Sequence, residues 1–187
     1  MPWWRRRTTA DPRILDRWMG SQAEEAWVHD RCRLAASMID NDANVADLGC
    51  GMQVLREHLP PSTPYTGYDL GAMHPDNVHL DLDAPFRLDE AHTTAVLLGV
   101  LEYLDDPVQA LSSARATVGT LVVSFVCAHN ASKDALSRRV DLGVKHHWSV
   151  EDLGRIVSSL HFVEMERHVV WERPGERHLV LRLNAEG

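Results

Sequence analysis

Residues 45–51, Val-Ala-Asp-Leu-Gly-Cys-Gly, constrain the fold more than any other stretch of this chain. Val45 to Leu48 read as a short strand, and Gly49 and Gly51 as the turn that leaves it. In open α/β sheets ligands bind at the carboxyl ends of strands, where glycine lets the backbone approach without a Cβ in the way. A helix is expected after Gly51, ending at Pro60-Pro61, with free N–H groups at its start. The next apolar run, 64–69, ends in Gly67-Tyr68-Asp69 and sets a carboxylate roughly 20 residues past the turn. An acid there accepts hydrogen bonds from ribose hydroxyls, so the two features together point to a nucleoside-containing cofactor.

The rest of the chain continues the alternation. Further strands are expected at 77–80, 93–98 and 120–126. Asp106 followed by Pro107 is a helix start, and Val108, Leu111, Ala114 and Val118 keep to one side of that helix. Ser149 and Asp152 open another, running to about Leu160. Two β-rich runs, 162–171 and 177–183, meet through Pro174-Gly175 as a hairpin. Before the first strand, residues 11–40 are helical in pattern: Ser21 and Glu24 have capping-box spacing, and Val28, Cys32, Ala35 and Ile39 recur at helical intervals. Residues 1–10 read as a leader carrying Trp3 and Trp4 beside Arg5, Arg6 and Arg7. Strands alternating with helices imply a mostly parallel sheet covered on both faces, closed by an antiparallel pair.

Composition narrows the partners. The net charge is −8 and the basic residues are dispersed, which disfavours a nucleic-acid substrate. No apolar run is long enough to span a bilayer, and Arg5–Arg7 are followed by no apolar secretion core. Cys32, Cys50 and Cys127 are odd in number and far apart, which argues for a reducing compartment and a cytoplasmic protein. The histidines show no metal-ligand spacing, so no metal is expected.

Five pieces in order resemble the class I S-adenosylmethionine (SAM) dependent methyltransferases, particularly small, compact members acting on small molecules. They are Asp-Leu-Gly-Cys-Gly at 47–51, Tyr-Thr-Gly-Tyr-Asp-Leu at 65–70, His-Leu-Asp-Leu-Asp-Ala-Pro-Phe at 79–86, Leu-Leu-Gly-Val-Leu-Glu-Tyr-Leu-Asp-Asp-Pro at 97–107 and His-Trp-Ser-Val-Glu-Asp-Leu at 147–153. Together they span about residues 40–185. A dinucleotide fingerprint would read Gly-x-Gly-x-x-Gly, and a Tyr-x-x-x-Lys pair is missing, so a nicotinamide-dependent reductase is the weaker reading. The resemblance implies a Rossmann-like, doubly wound, mostly parallel seven-stranded sheet with an antiparallel C-terminal hairpin and an N-terminal helical cap. Residues 1–40 would form the leader and cap, and 41–187 the SAM-binding domain, in one compact unit.

It also implies roles. Asp47, Gly49, Cys50 and Gly51 would shape the pocket around the methionine part of SAM. Asp69 would bind both ribose hydroxyls, with Leu70 against the adenine. Asp81 would accept from the adenine amino group, and Leu82 would offer its N–H to the ring. Leu98 or Gly99 would supply a carbonyl to the SAM ammonium. Where the family usually carries a third glycine this chain has Gln53, whose side chain would crowd the methionine moiety or bond its carboxylate.

The implied activity is methyl transfer from SAM to a small metabolite or biosynthetic intermediate, with S-adenosylhomocysteine (SAH) as product. The alternative is a SAM-fold protein without methyl transfer, either a cofactor-assisted lyase or cyclase or a non-catalytic partner of another enzyme. Candidate groups at the acceptor are His129 after the fifth strand, His147 before the last helix, and Tyr103 past the fourth strand. Residues 127–147 read as the acceptor-binding insert and the N-terminal helix as a lid. The short connection 83–92 leaves one flank open to a partner, a second copy of the chain or another enzyme.

Overall fold

Seven strands form one sheet in the order β3-β2-β1-β4-β5-β7-β6, and its centre is where the apolar runs are least interrupted. The computed structural model describes residues 25–71 and 73–186. The expected leader with Trp3 and Trp4, and the Ser21–Glu24 capping box, lie outside those residues.

The strands are β1 (Val45–Leu48), β2 (Tyr65–Asp69), β3 (Val78–His79), β4 (Thr94–Leu98), β5 (Thr120–Ala128), β6 (Phe162–Arg173) and β7 (Glu176–Ala185). The first five pair in parallel; β7 runs antiparallel to β5, and β6 antiparallel to β7. Every residue of β1 and β4 is buried, as expected for central parallel strands covered on both faces. Successive β4 residues feed opposite cores: Leu97 packs with Leu111, Ala114, Leu153 and Val157, while Val96 and Leu98 pack with Val28, Cys32, Ala35 and Leu55.

Four α-helices cover the described sheet: α1 (Ala26–Ser37), α2 (Pro107–Arg115), α3 (Lys133–Asp141) and α4 (Val150–Ser159). The Val28, Cys32, Ala35 spacing does put three buried residues on one side of α1. Asp106 caps α2 by accepting from the Gln109 N–H, with Pro107 just inside. Ser149 and Asp152 form a reciprocal capping box at the start of α4.

Two expectations need correction. The helix after the glycine turn is a 3₁₀ helix of five residues, Val54–His58, which begins only after Gln53. It therefore brings no long row of aligned amides to the turn. Within 127–147, where an insert was expected, α3 forms. Only Ala135 and Arg139 of its nine residues are buried, so it carries no apolar stripe to betray it.

Candidate functional site

β1 delivers Asp47 and the turn Gly49–Gly51 to the carboxyl edge of the sheet, between β2 and β4. Gly49 and Gly51 have φ of 76° and 53°, the left-handed region glycine occupies without strain. A Cβ on Gly49 would lie 2.4 Å from Val100 Cγ2, so the turn packs directly on the residue after Gly99. The Gly51 N–H donates to Asp69 Oδ2 at 2.9 Å and the Gly71 N–H to Asp69 Oδ1 at 2.8 Å. Burial raises the Asp69 carboxyl above its ordinary range, and these backbone bonds oppose the shift. Each oxygen keeps a second acceptor site for a hydroxyl.

Asp47 is buried in the floor beneath the turn, where Tyr65 donates its hydroxyl to Oδ2 at 2.7 Å. Burial pushes its carboxyl up to about 7, opposed by the Tyr65 bond and by the Arg31 guanidinium. Cys50 points away from any exposed reactive position: its Sγ donates to Asn77 Oδ1 at 3.2 Å, and burial raises the thiol far above its usual range.

Leu70 is held at the same edge by bonds between the ends of β2 and β3. The Leu80 N–H donates to the Asp69 carbonyl at 3.0 Å, and His79 Nδ1 lies 3.1 Å from the Leu70 carbonyl. Leu82 is buried in the core, whereas Asp81 is exposed and its Oδ1 accepts the Asp83 N–H at 3.0 Å, closing an Asx turn. Leu98 ends β4, and the Gly99 N–H beyond it donates to Ser124 Oγ at 2.8 Å.

Gln53 departs from expectation. Its φ of 61° keeps the left-handed conformation a glycine would favour, but the side chain is buried away from the turn's mouth. Nε2 donates to Asn77 Oδ1 at 2.8 Å and Oε1 accepts from Arg56 at 3.3 Å. Gly67 makes room for this, since a Cβ there would meet Cys50 Sγ at 2.8 Å and Gln53 Nε2 at 3.0 Å.

The expected acceptor-side residues are not brought together. His129 is exposed, five residues past the β5 position that pairs with Leu98, or about 16 Å along the strand. His147 Nδ1 accepts from Arg139 Nε at 3.1 Å, which places the neutral ring's proton on Nε2 and leaves no lone pair to receive another. Burial, Arg139 and His146 all lower its affinity for a second proton. Tyr103 is half-buried in the turn after β4, its N–H on the Val100 carbonyl at 2.9 Å.

Three residues at this edge, Asn77, Arg31 and His178, escaped the sequence reading. Asn77 binds Cys50, Gln53 and, through Nδ2, the Gly51 carbonyl at 2.9 Å. Arg31 reaches in from α1: a Cβ on Gly99 would lie 2.2 Å from its Nη1. Glu102 and His178 are buried beside it. Arg31 stands one position before the Cys32 of the helical stripe, and that adjacency was the available signal.

Among the described residues no group of three or more His, Cys, Asp or Glu converges as a metal site, and no helix is long and apolar enough to cross a membrane. No protein-family model matches the sequence, and no curated protein is similar to it in sequence. Solved structures do match. The 4+2 cyclase SpnF superposes with a TM-score of 0.68 at 16% identity, over 83% of this chain and 80% of that one. Magnesium protoporphyrin IX methyltransferase (ChlM) from Synechocystis PCC 6803, with bound SAM, gives 0.65 at 15% identity, over 93% and 90%. A SAM-dependent methyltransferase from Thermotoga maritima gives 0.66 at 14% identity, over 93% and 95%. With the strand order, the reversed β7 and the glycine turn at the carboxyl edge, this chain has the fold of the class I SAM-dependent methyltransferases.

Proposed function

We propose that the chain binds SAM at the edge formed by β1, β2 and β4 and transfers its methyl group to a small-molecule acceptor. The carrying observation is the joint between Gly51 and Asp69, a 2.9 Å bond that ties the glycine turn to a carboxylate with acceptor sites to spare. The residues present fit the cofactor. Asp69 retains acceptor sites for the ribose hydroxyls, half-buried Leu70 supplies apolar surface for the adenine, and Leu82 would offer its backbone N–H to the ring. Asp81 reaches the adenine amino group only with the oxygen its Asx turn leaves over. Gly49 and Gly99, having no Cβ, let Val100 and Arg31 pack against the amino-acid end. SAM supplies a methyl group already activated on a sulfonium, so the protein's contribution is to orient, desolvate and hold the acceptor in line.

Asp69, whose carboxylate is favoured by the Gly51 and Gly71 N–H groups, and Asp47 once ionised above about pH 7, offer negative charge to a cation in the donor pocket. Arg31 beside Gly99 offers a counter-charge for a carboxylate. The dispersed basic residues and net charge of −8 support a small acceptor over a nucleic acid. Free thiols at Cys32, Cys50 and Cys127 support a reducing, cytoplasmic setting. A second reading, cofactor binding without methyl transfer, is favoured by the same edge: His147 has its lone pair engaged and His129 lies well beyond it.

Calorimetric titration of SAM and SAH into the wild type and Asp69→Ala tests the reading. Micromolar binding that is lost in the variant supports it, and absence of binding to the wild type sinks it. Formation of SAH with an acceptor panel separates the transferase from the non-transferring alternative.

A further inference from the structure

Three polar groups beneath the N-terminal end of α1 are buried without hydrogen-bond partners. They are both ring nitrogens of His178, Oε2 of Glu102 and Nε of Arg31. His178 is 1% exposed and Glu102 2%. Buried polar groups are normally satisfied, because an unmade bond costs the full desolvation of the group. Several orphans in one place therefore call for a ligand.

They share one neighbourhood. β5 runs on past the end of β4, and there Glu102 Oε1 accepts the Val126 N–H at 2.7 Å while Arg139 Nη2 donates to the Val126 carbonyl at 2.8 Å. With both backbone groups turned to those side chains, Val126 and His178 make a non-hydrogen-bonded pair across β5 and β7, the arrangement that brings side chains closest. Arg31 bears electrostatically on both Glu102 and His178 from α1. Trp27, one turn before Arg31, and Trp171, opposite His178 on β6, set their rings 6.1 and 5.4 Å from the imidazole at 63° and 65°.

We propose that His178, Glu102 and Arg31 form the polar end of a pocket, walled by Trp27 and Trp171, that binds a small aromatic molecule bearing a neutral hydroxyl. Two indoles favour a planar ring. The guanidinium repels an ammonium, and it already faces the Glu102 carboxyl and so is not free to pair a carboxylate, which leaves a neutral polar group. The orphans ask for both a donor and an acceptor: Glu102 Oε2 accepts, Arg31 Nε–H donates, and a neutral imidazole does one at each nitrogen. A hydroxyl does both. Burial and Arg31 hold the imidazole neutral, with its pKa lowered to about 3. Entry needs Trp27 to move and to release the bond its indole N–H gives Glu25, in the first turn of α1, where Glu25 makes no side-chain cap. This pocket rests on the SAM reading only for its place beside the methyl donor; hydroxyl binding stands separately.

The test uses phenol and toluene as probes of the full chain saturated with SAH, read by ring-¹⁵N shifts of the histidines. Phenol should move the His178 resonances and bind at least tenfold tighter than toluene. His178→Phe should erase that preference, leave SAH affinity within twofold and raise Tm, because an apolar ring replaces the orphan nitrogens. Glu102→Gln, which keeps the oxygen that accepts from Val126, should weaken phenol severalfold and serves if His178→Phe misfolds. Equal binding of the two probes, or no response at His178, overturns the pocket. Absence of SAH binding with the phenol preference intact overturns the cofactor reading and leaves the pocket standing.

Discussion

Gln53 Nε2 donates to Asn77 Oδ1 at 2.8 Å, so the residue in the usual third-glycine position is tied to the head of β3 and not aimed at the cofactor. The same Asn77 accepts from Cys50 and donates to the Gly51 carbonyl, clasping the turn at three points. The bonds offset the left-handed backbone of Gln53, a conformation that costs a non-glycine residue about 1 kcal/mol.

Asn77→Ala should cost about 2–3 kcal/mol, since it leaves a buried amide and a carbonyl without partners. SAH affinity should fall at least tenfold as the turn loosens. Urea unfolding and calorimetry check the two numbers together. A stable variant with unchanged affinity would show that β3 does not clasp the turn.

The strand positions, the caps of α2 and α4 and the Asp69 position were legible because each has a local signature: apolar runs, Asp-Pro, Ser-x-x-Asp and Gly-x-Asp. Asn77, Arg31 and His178 were not. Each acts through a partner between 24 and about 150 residues away, and periodicity carries no information about such pairs. α3 was hidden for a related reason, because its anchor is a buried arginine where pattern reading looks for an apolar stripe. His147 was chosen for its loop, but that same arginine occupies its lone pair.

That arginine should be costly to remove. Arg139 is 1% exposed and donates to Glu176, to the carbonyls of Val126 and His146, and to His147. Arg139→Leu leaves Glu176 buried, although Arg138 and Arg173 still reach it. We expect a loss of about 3 kcal/mol in urea unfolding. Cleavage by trypsin between residues 129 and 147 should also accelerate as α3 detaches. A loss below about 1 kcal/mol would mean that the two remaining arginines suffice.

Arg31 packs on Gly99, at the amino-acid end of the proposed cofactor site. Arg31→Met keeps the apolar stem and removes the charge. SAH, which carries a carboxylate, should bind about tenfold or more weakly to the variant. Methylthioadenosine, which lacks the amino-acid end, should bind as it does to the wild type. Equal losses for both ligands would place Arg31 in the structure of α1 and not in recognition.

Asp47 makes stability depend on pH with a definite sign. Burial raises its folded pKa from 3.8 to about 7, so the folded state holds the proton more tightly than the unfolded one. Stability from this group is therefore full below about 4, declines as pH rises towards 7 and is flat above. The interval corresponds to about 4 kcal/mol at most. His178 acts oppositely: its pKa is lowered to about 3, so its contribution is lost as pH falls below the ordinary histidine value. Comparing the wild type with Asp47→Asn isolates the first effect, because the amide oxygen can still accept from Tyr65. The variant should unfold at a higher temperature than the wild type at pH 8, with the gap closing by about pH 4. A gap of the same size at both values would show that Asp47 titrates alike in the folded and unfolded states, so that burial does not raise its carboxyl.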